Sequence, residues 1–201
     1  MYIERIEVLE KGRRRLFFEN GMKLLLYKGE VSSCDLKEGI QISDDLYQKL
    51  LYEVVGKRAK KRAMHLLERQ ERTEYQLREK LKQNEYPKEV IDDAIAYVKR
   101  YHYVDDFRYA CNYIRYQQEK KSRRRLQQDL LQKGISKQII EQAFEEEGNA
   151  DEKAAIQKLL EKKGYHADMT KQEANKVYQF LLRKGYQSSD ILYVMRSEYL
   201  T

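Results

Sequence analysis

Tryptophan is absent from this 201-residue chain, proline occurs once, at Pro87, and cysteine twice, at Cys34 and Cys111. Two thiols outside any CxxC spacing exclude a disulfide framework and fit a reducing compartment. With one proline, helices meet few obligatory breaks. No apolar run approaches the ~18 residues that a membrane span requires. The amino terminus, MYIERIEVLEKGRRR, lacks the apolar stretch of a secretory signal. A cytoplasmic, soluble protein is therefore expected. The three histidines, His65, His102 and His166, lie far apart, and none belongs to an H-E-x-x-H or Cys/His metal spacing. There is no glycine-rich phosphate loop and no G-x-S-x-G elbow. The expectation is a non-enzymatic protein with no catalytic residues, no metal and no cofactor.

Charge and tyrosine are plentiful. Charged residues make up 36% of the chain, with 40 Lys and Arg against 33 Asp and Glu, a formal excess of +7. That abundance, together with Glu, Gln, Lys, Arg and Leu at helical spacing, favours long solvated helices with narrow apolar stripes. Seventeen tyrosines and regular Leu/Ile spacing argue against disorder. The cationic excess points to an anionic partner.

Residues 1–56 read differently from the rest. Tyr2 to Leu9, Arg15 to Phe18 and Met22 to Tyr27 are β-prone runs. Asn20-Gly21 between the last two predicts a hairpin with a type I′ turn, within a small antiparallel sheet. Gly39 closes that region, and Ser43 is placed to cap a linking helix through Leu46, Leu50 and Val54. From Lys57 onward one pattern recurs. Leu77, Leu81, Tyr86, Val90, Ile91 and Ile95 reappear 49 residues later as Leu126, Leu130, Ile135, Ile139, Ile140 and Phe144. A further 51 residues brings Val177, Leu181, Tyr186, Asp190, Ile191 and Met195, where only Asp190 breaks the apolar match. Gly134, Gly185 and, in the first copy, Glu85 beside Asn84 occupy a slot where a helix ends in a left-handed residue. Thr73-x-x-Gln76 and Thr170-x-x-Glu173 are capping boxes, with Ser122 at the equivalent place between them. Pro87 and Ser136 open the third helices. First helices are expected over 57–69, 106–119 and 150–163, the second capped by Asp105 or Asp106 and the third by Asn149. The chain thus divides into an N-terminal region (1–56) and three three-helix repeats, 57–104, 105–148 and 149–201. The fold class is mainly α with a small antiparallel sheet.

Two basic tracts stand out. Lys57–Arg62 reads KRAKKR and Lys120–Arg125 reads KKSRRR. On a helical wheel Lys57, Arg58, Lys61 and Arg62 fall away from the stripe of Ala59, Ala63, Leu66 and Leu67, so one helix can bury that stripe and present cations. Lys120, Lys121, Arg123, Arg124 and Arg125 surround a helix start, where the dipole favours anions. A partner phosphate or carboxylate would relieve that conflict, which makes this tract the preferred contact. A face kept basic for solubility is the alternative. Arg13-Arg14-Arg15 is a third cluster. Glu141 to Glu152 carries acids and no base, leaving room for intramolecular pairing or for a basic partner. Asp105-Asp106, followed by Phe107, reads as cap and dipole partner. Tyr97, Tyr101, Tyr103, Tyr109, Tyr113 and Tyr116 admit a base-stacking role, but packing between helices is the simpler expectation.

These features resemble the RecX family, bacterial regulators of the recombinase RecA. The matching text is Leu66-Leu67-x-Arg69-x-x-Arg72-Thr73-Glu74-x-x-Leu77-x-x-Lys80-Leu81, then Tyr103-Val104-Asp105-Asp106-Phe107-x-x-Ala110, then Arg125-Leu126-x-x-x-Leu130-x-x-Lys133-Gly134-Ile135. The similarity covers roughly residues 57 to 200, and the N-terminal hairpin is similar to an extension of longer members. The resemblance implies three three-helix repeats that bind the RecA nucleoprotein filament along its groove. It also implies inhibition of recombinase, ATPase and co-protease activities in DNA repair, recombination and the SOS response, with DNA binding in some members. A monomer is expected. The family usually has glycine where this chain has Ser122.

Overall fold

The structure, a computed structural model, describes residues 1–148, 151–166 and 168–197. It divides into two compact units, Met1–Asp105 and Asp106–Thr201.

In the first unit, strands β1 (Ile3–Val8), β2 (Arg13–Phe18) and β3 (Lys23–Tyr27) form an antiparallel sheet in sequence order. Ile3 pairs with Phe18 but Arg5 with Phe17, so Glu4 is an extra residue in β1. That irregularity turns Ile3 and Ile6, three positions apart, to one face, where both meet the core with Leu16, Phe18, Leu24 and Leu26. The β2–β3 hairpin forms as expected, but its turn is not type I′. Phe18 and Met22 close a three-residue loop, the Gly21 amide donates to the Phe18 carbonyl at 2.8 Å, and Gly21 alone has positive φ, +76°. Asn20 remains at negative φ because its side chain accepts from the Met22 amide at 3.1 Å, which locks the longer loop.

A short helix, α1 (Lys28–Ser33), follows directly; the alternation pattern did not predict it. Glu30 accepts the Tyr27 amide at 2.7 Å and sets its first turn. Ser43 caps α2 (Asp44–Gln48) by accepting from the Leu46 amide. The chain then passes through a π-helical stretch, Lys49–Gly56, into α3 (Lys57–Arg69) without leaving helical backbone. The three-helix unit is completed by α4 (Glu74–Gln83) and α5 (Lys88–Arg100). Leu50, Leu51 and Val55 share one core with the sheet, with Ala59 and Ala63 of α3, and with Leu77, Leu81, Val90 and Ile95. The apolar face of the sheet is thus buried by the first repeat. Thr73 is fully buried and makes both capping-box bonds with Gln76. Its replacement by alanine is expected to cost about 1–2 kcal/mol, read by urea unfolding. Pro87 stands one residue earlier than expected, at the cap of α5, where its extended ψ of 152° leads into the helix.

The second unit holds α6 (Asp106–Gln117), α7 (Arg123–Gln132), α8 (Lys137–Glu147), α9 (Glu152–Lys162), α10 (Lys171–Arg183) and α11 (Ser188–Ser197). The repeat register holds in space. Leu126, Leu130, Ile135, Ile140 and Phe144 form one buried cluster; Val177, Leu181, Tyr186, Ile191 and Met195 belong to another. Asp190 is half-buried at the mismatched position. Glu85, Gly134 and Gly185 all adopt the left-handed backbone, with φ of 62°, 83° and 91°. Asp151 caps α9, accepting from the Lys153 and Ala154 amides. The expected cap Asn149 lies outside the described residues.

Candidate partner-binding surface

The first basic tract lies on α3, with Ala59, Ala63 and Leu66 buried and Lys57 and Lys61 exposed. Arg58 and Arg62 are half-buried along the flanks. Arg58 donates to the Leu25 carbonyl at 2.6 Å and to Glu30 at 3.3 Å, and its guanidinium lies 4.7 Å from the centre of the Tyr27 ring. Arg62 donates to the Asn84 side chain at 3.0 Å. Long arginine stems reach back over apolar surface, so wheel angle alone does not fix where the charge rests. Both line a cleft of about 320 Å³ with Arg13, Tyr27 and Tyr86. Lys60, the remaining cation, pairs with Asp93 at 2.8 Å. Arg15, from the third cluster, bridges Glu7 and Glu85 at 2.7 and 2.6 Å, which also anchors the left-handed Glu85.

The second tract surrounds the start of α7. Ser122 is buried, caps the helix through the Arg125 amide, and donates its own amide to the Lys184 carbonyl at 3.1 Å. Gly185 lies against it so closely that an added Cβ would meet Ser122 Oγ at 2.6 Å and Arg125 Cβ at 2.7 Å. The close backbone approach at position 122 is thus made within the chain, between the second and third repeats. Lys121 donates to Asp129 at 2.7 Å and to the Tyr113 hydroxyl at 2.9 Å; Tyr113 donates to Asp129 at 2.9 Å; Arg125 pairs with Asp129 at 3.1 Å. Burial pushes the Asp129 carboxyl up, but the hydrogen bonds from Lys121 and Tyr113 and the neighbouring charges outweigh it and hold it below the usual range. Arg123 covers the Phe144 ring at 4.2 Å, and its amide donates to Glu152 at 2.8 Å. The carboxylate that the helix start favours is supplied by the first turn of α9. Lys120 and Arg124 are exposed and form no ion pair among the described residues.

Arg124 opens onto a cleft of about 660 Å³ with Arg125, Gln128, Leu182, Arg183, Gly185 and Tyr186. Tyr186 is 3% exposed, its hydroxyl has no hydrogen-bond partner among the described residues, and burial pushes its pKa up to about 12. Arg183 escaped the sequence reading because its neighbours in space come from another repeat. The only local signal was Arg183-Lys184 ahead of Gly185. Of the acidic run, Glu147 receives Arg115 through two bonds, at 2.9 and 2.6 Å. Asp106 opens α6, with Asp105 immediately before it and Phe107 partly exposed on the first turn. Among the described residues no group of three or more His, Cys, Asp or Glu could hold a metal ion, and no helix is long and apolar enough to cross a membrane.

Fold and surface define a tandem three-helix-repeat protein with cations exposed on the first helix of repeat one and at the second-helix start of repeat two. The chain belongs to the RecX family. Residues 59–97, 105–143 and 151–195 match the first, second and third three-helix domains of RecX in turn. A protein named Regulatory protein RecX from Caldanaerobacter subterraneus subsp. tengcongensis is 31% identical over 194 residues, covering 95% of this chain and 96% of that protein. One of the same name from Clostridium botulinum (strain Eklund 17B / Type B) is 34% identical over 158 residues, covering 75% and 74%. A crystal structure of regulatory protein RecX shares the fold with a TM-score of 0.61 at 24% identity, covering 96% of this chain and 98% of that one. RecX from Lactobacillus salivarius gives 0.60 at 24% identity, covering 73% and 98%.

Proposed function

We propose that this protein is a non-enzymatic, cytoplasmic, monomeric regulator that binds the RecA nucleoprotein filament and lowers its recombinase, ATPase and co-protease activities in DNA repair, recombination and the SOS response. End-to-end similarity to proteins named Regulatory protein RecX carries this reading. Within it, Lys57 and Lys61 on α3 and Lys120 and Arg124 at α7 make the anionic contacts, because their charges are exposed. Arg58, Arg62, Lys121, Arg123 and Arg125 shape the surface, since each is already engaged within its own unit. Asp105, Asp106 and Phe107 form the inter-repeat motif.

Adding the protein to RecA on single-stranded DNA is expected to slow ATP hydrolysis. Unchanged hydrolysis at several-fold molar excess would overturn the reading. The quadruple change Lys57→Ala, Lys61→Ala, Lys120→Ala, Arg124→Ala should raise the concentration for half-inhibition about ten-fold, or ~1.4 kcal/mol shared among four exposed cations. The same exposed cations favour a second reading, stand-alone DNA binding. It requires affinity without RecA that falls steeply with salt, with a slope near −0.9 per phosphate contact on duplex and about −0.7 on single strands.

A further inference from the structure

Three tyrosines at the end of α5 do not pack between helices. Tyr97, Tyr101 and Tyr103 are 38%, 54% and 47% exposed. Their rings nonetheless gather, with centroids 5.0 Å apart for Tyr97–Tyr101 and 6.4 Å for Tyr101–Tyr103. Of the row Tyr109, Tyr113 and Tyr116, whose i, i+4, i+7 spacing predicts packing between helices, Tyr109 and Tyr113 do pack against the core of repeat two, but Tyr116, near the end of α6, is 70% exposed.

Two comparisons within the chain show that this cluster is not demanded by the fold. Among the described residues, six helix ends share one closing motif, in which the residue after a left-handed position returns its amide to the carbonyl five residues back. The pairs are Leu36 to Val31, Tyr86 to Leu81, Tyr103 to Val98, Ile135 to Leu130, Tyr165 to Leu160 and Tyr186 to Leu181. The donor's side chain ordinarily folds onto the helix it closes. Leu36, Ile135, Tyr165 and Tyr186 are buried accordingly, and Tyr86 is half-buried against the core. Tyr103 alone of the six points outward. The left-handed residue before it is His102, with φ of 57°, where Gly134, Gly164 and Gly185 serve three of the other ends. The repeat offset of 49 provides the second comparison: position 97 corresponds to Glu146, on the last turn of the third helix of repeat two. An acid stands there without loss of the three-helix unit.

Cations accompany the rings. The Lys60 ammonium lies 5.5 Å from the Tyr97 centroid while also held by Asp93. Arg100, adjacent to Tyr101, is exposed, as is Lys57 on the turn before Lys60. Flat π faces interleaved with positive charge suit a strand that alternates planar bases with phosphates better than a duplex, whose bases are already stacked. We propose that Tyr97, Tyr101 and Tyr103 form a stacking platform for the unpaired bases of single-stranded DNA. The proposal shares Lys57 with the cations assigned above to filament contact, but its test does not depend on that assignment.

The test compares full-length protein on two labelled strands of about 15 nucleotides, oligodeoxythymidine and an abasic strand of equal charge, by fluorescence anisotropy. The wild type is expected to bind the base-bearing strand about ten-fold more tightly. Y97A/Y101A/Y103A should lose that preference, and Y97F/Y101F/Y103F, which keeps the rings, should retain it. Equal binding of both strands by the wild type, no binding to either, or an unchanged preference in the alanine variant would each overturn the proposal. So would an alanine variant that keeps the preference but loses inhibition of RecA ATPase, which would make the patch a protein contact. Inhibition of RecA without any base preference would sink this inference and leave the filament reading standing.

Discussion

Asp129→Ala is expected to destabilise the second unit by about 3–5 kcal/mol, the cost of breaking a buried ion pair from one side. The carboxylate, 10% exposed, holds Lys121, Arg125 and the Tyr113 hydroxyl together. Its removal leaves Lys121, itself 24% exposed, with only a phenol and a ring face. Replacing the pair at once, as Lys121→Met with Asp129→Leu, should recover much of the loss, because no half-buried ammonium then lacks its carboxylate. The pH dependence has a definite sign. Asp129 is held below its ordinary value, so its stabilisation is complete above about 4 and is lost as pH falls through the lower folded value. For Lys121, burial lowers the pKa, but the bonds to Asp129 and Tyr113 prevail and raise it. That contribution is present below 10.5 and disappears as pH climbs through the higher folded value. Urea unfolding followed by circular dichroism should therefore show a deficit in Asp129→Asn that is constant through neutral pH and narrows in acid. A loss below ~1 kcal/mol in Asp129→Ala would refute the keystone role.

What was legible in the chain beforehand is what is written locally. Leu77 and Leu126 could be equated because each follows its cap, Thr73 or Ser122, by the same count, and Val177 because the apolar spacing after it repeats; all three are buried. Thr73, Ser122, Ser136 and Thr170 were readable as caps since the atoms they satisfy lie three residues away. The basic tracts were found as charge, but how each charge is used was not. Arg58 spends its donors on Leu25 and Glu30, and Lys121 on Asp129, through contacts that helix periodicity does not encode. The tyrosines show the same limit. Spacing of i, i+4 marks any row on a helix, buried or not. The phase did not decide it: Val90, Ile91, Ala94, Ile95 and Val98 define the buried stripe of α5, and Tyr97 lies at its edge, about 20° from Val90 around the helix. The short α1 and the π-helical stretch left no such pattern, since one turn of helix is too brief for a period and the π geometry shifts the phase.

Gly185→Ala is expected to cost the second unit about 2–5 kcal/mol, more than the cost of an alanine in left-handed backbone. The slot itself accepts a side chain, as Glu85 demonstrates at the equivalent place in repeat one with φ of 62° and its carboxylate held by Arg15. What distinguishes position 185 is proximity. A methyl group there would lie 2.6 Å from Ser122 Oγ and 2.7 Å from Arg125 Cβ, and the Arg125 atom belongs to the first turn of α7 and cannot swing aside. Left-handed strain accounts for about 1–2 kcal/mol, and overpacking against that turn adds about 1–3 kcal/mol. Gly164→Ala isolates the first contribution, since φ is +64° there and nothing lies within 4 Å of the added carbon. Ser122→Gly in the Gly185→Ala background should restore part of the difference. It removes the nearer obstacle while costing only a few tenths of a kcal/mol as a cap, but Arg125 Cβ remains. Equal losses for Gly185→Ala and Gly164→Ala, within ~0.5 kcal/mol, would show that α7 moves freely away from the α10–α11 turn. A larger loss at 185 would mean that the turn before α11 fixes the exposed Arg124 through α7, so the same variant should also weaken RecA inhibition at temperatures where it remains folded.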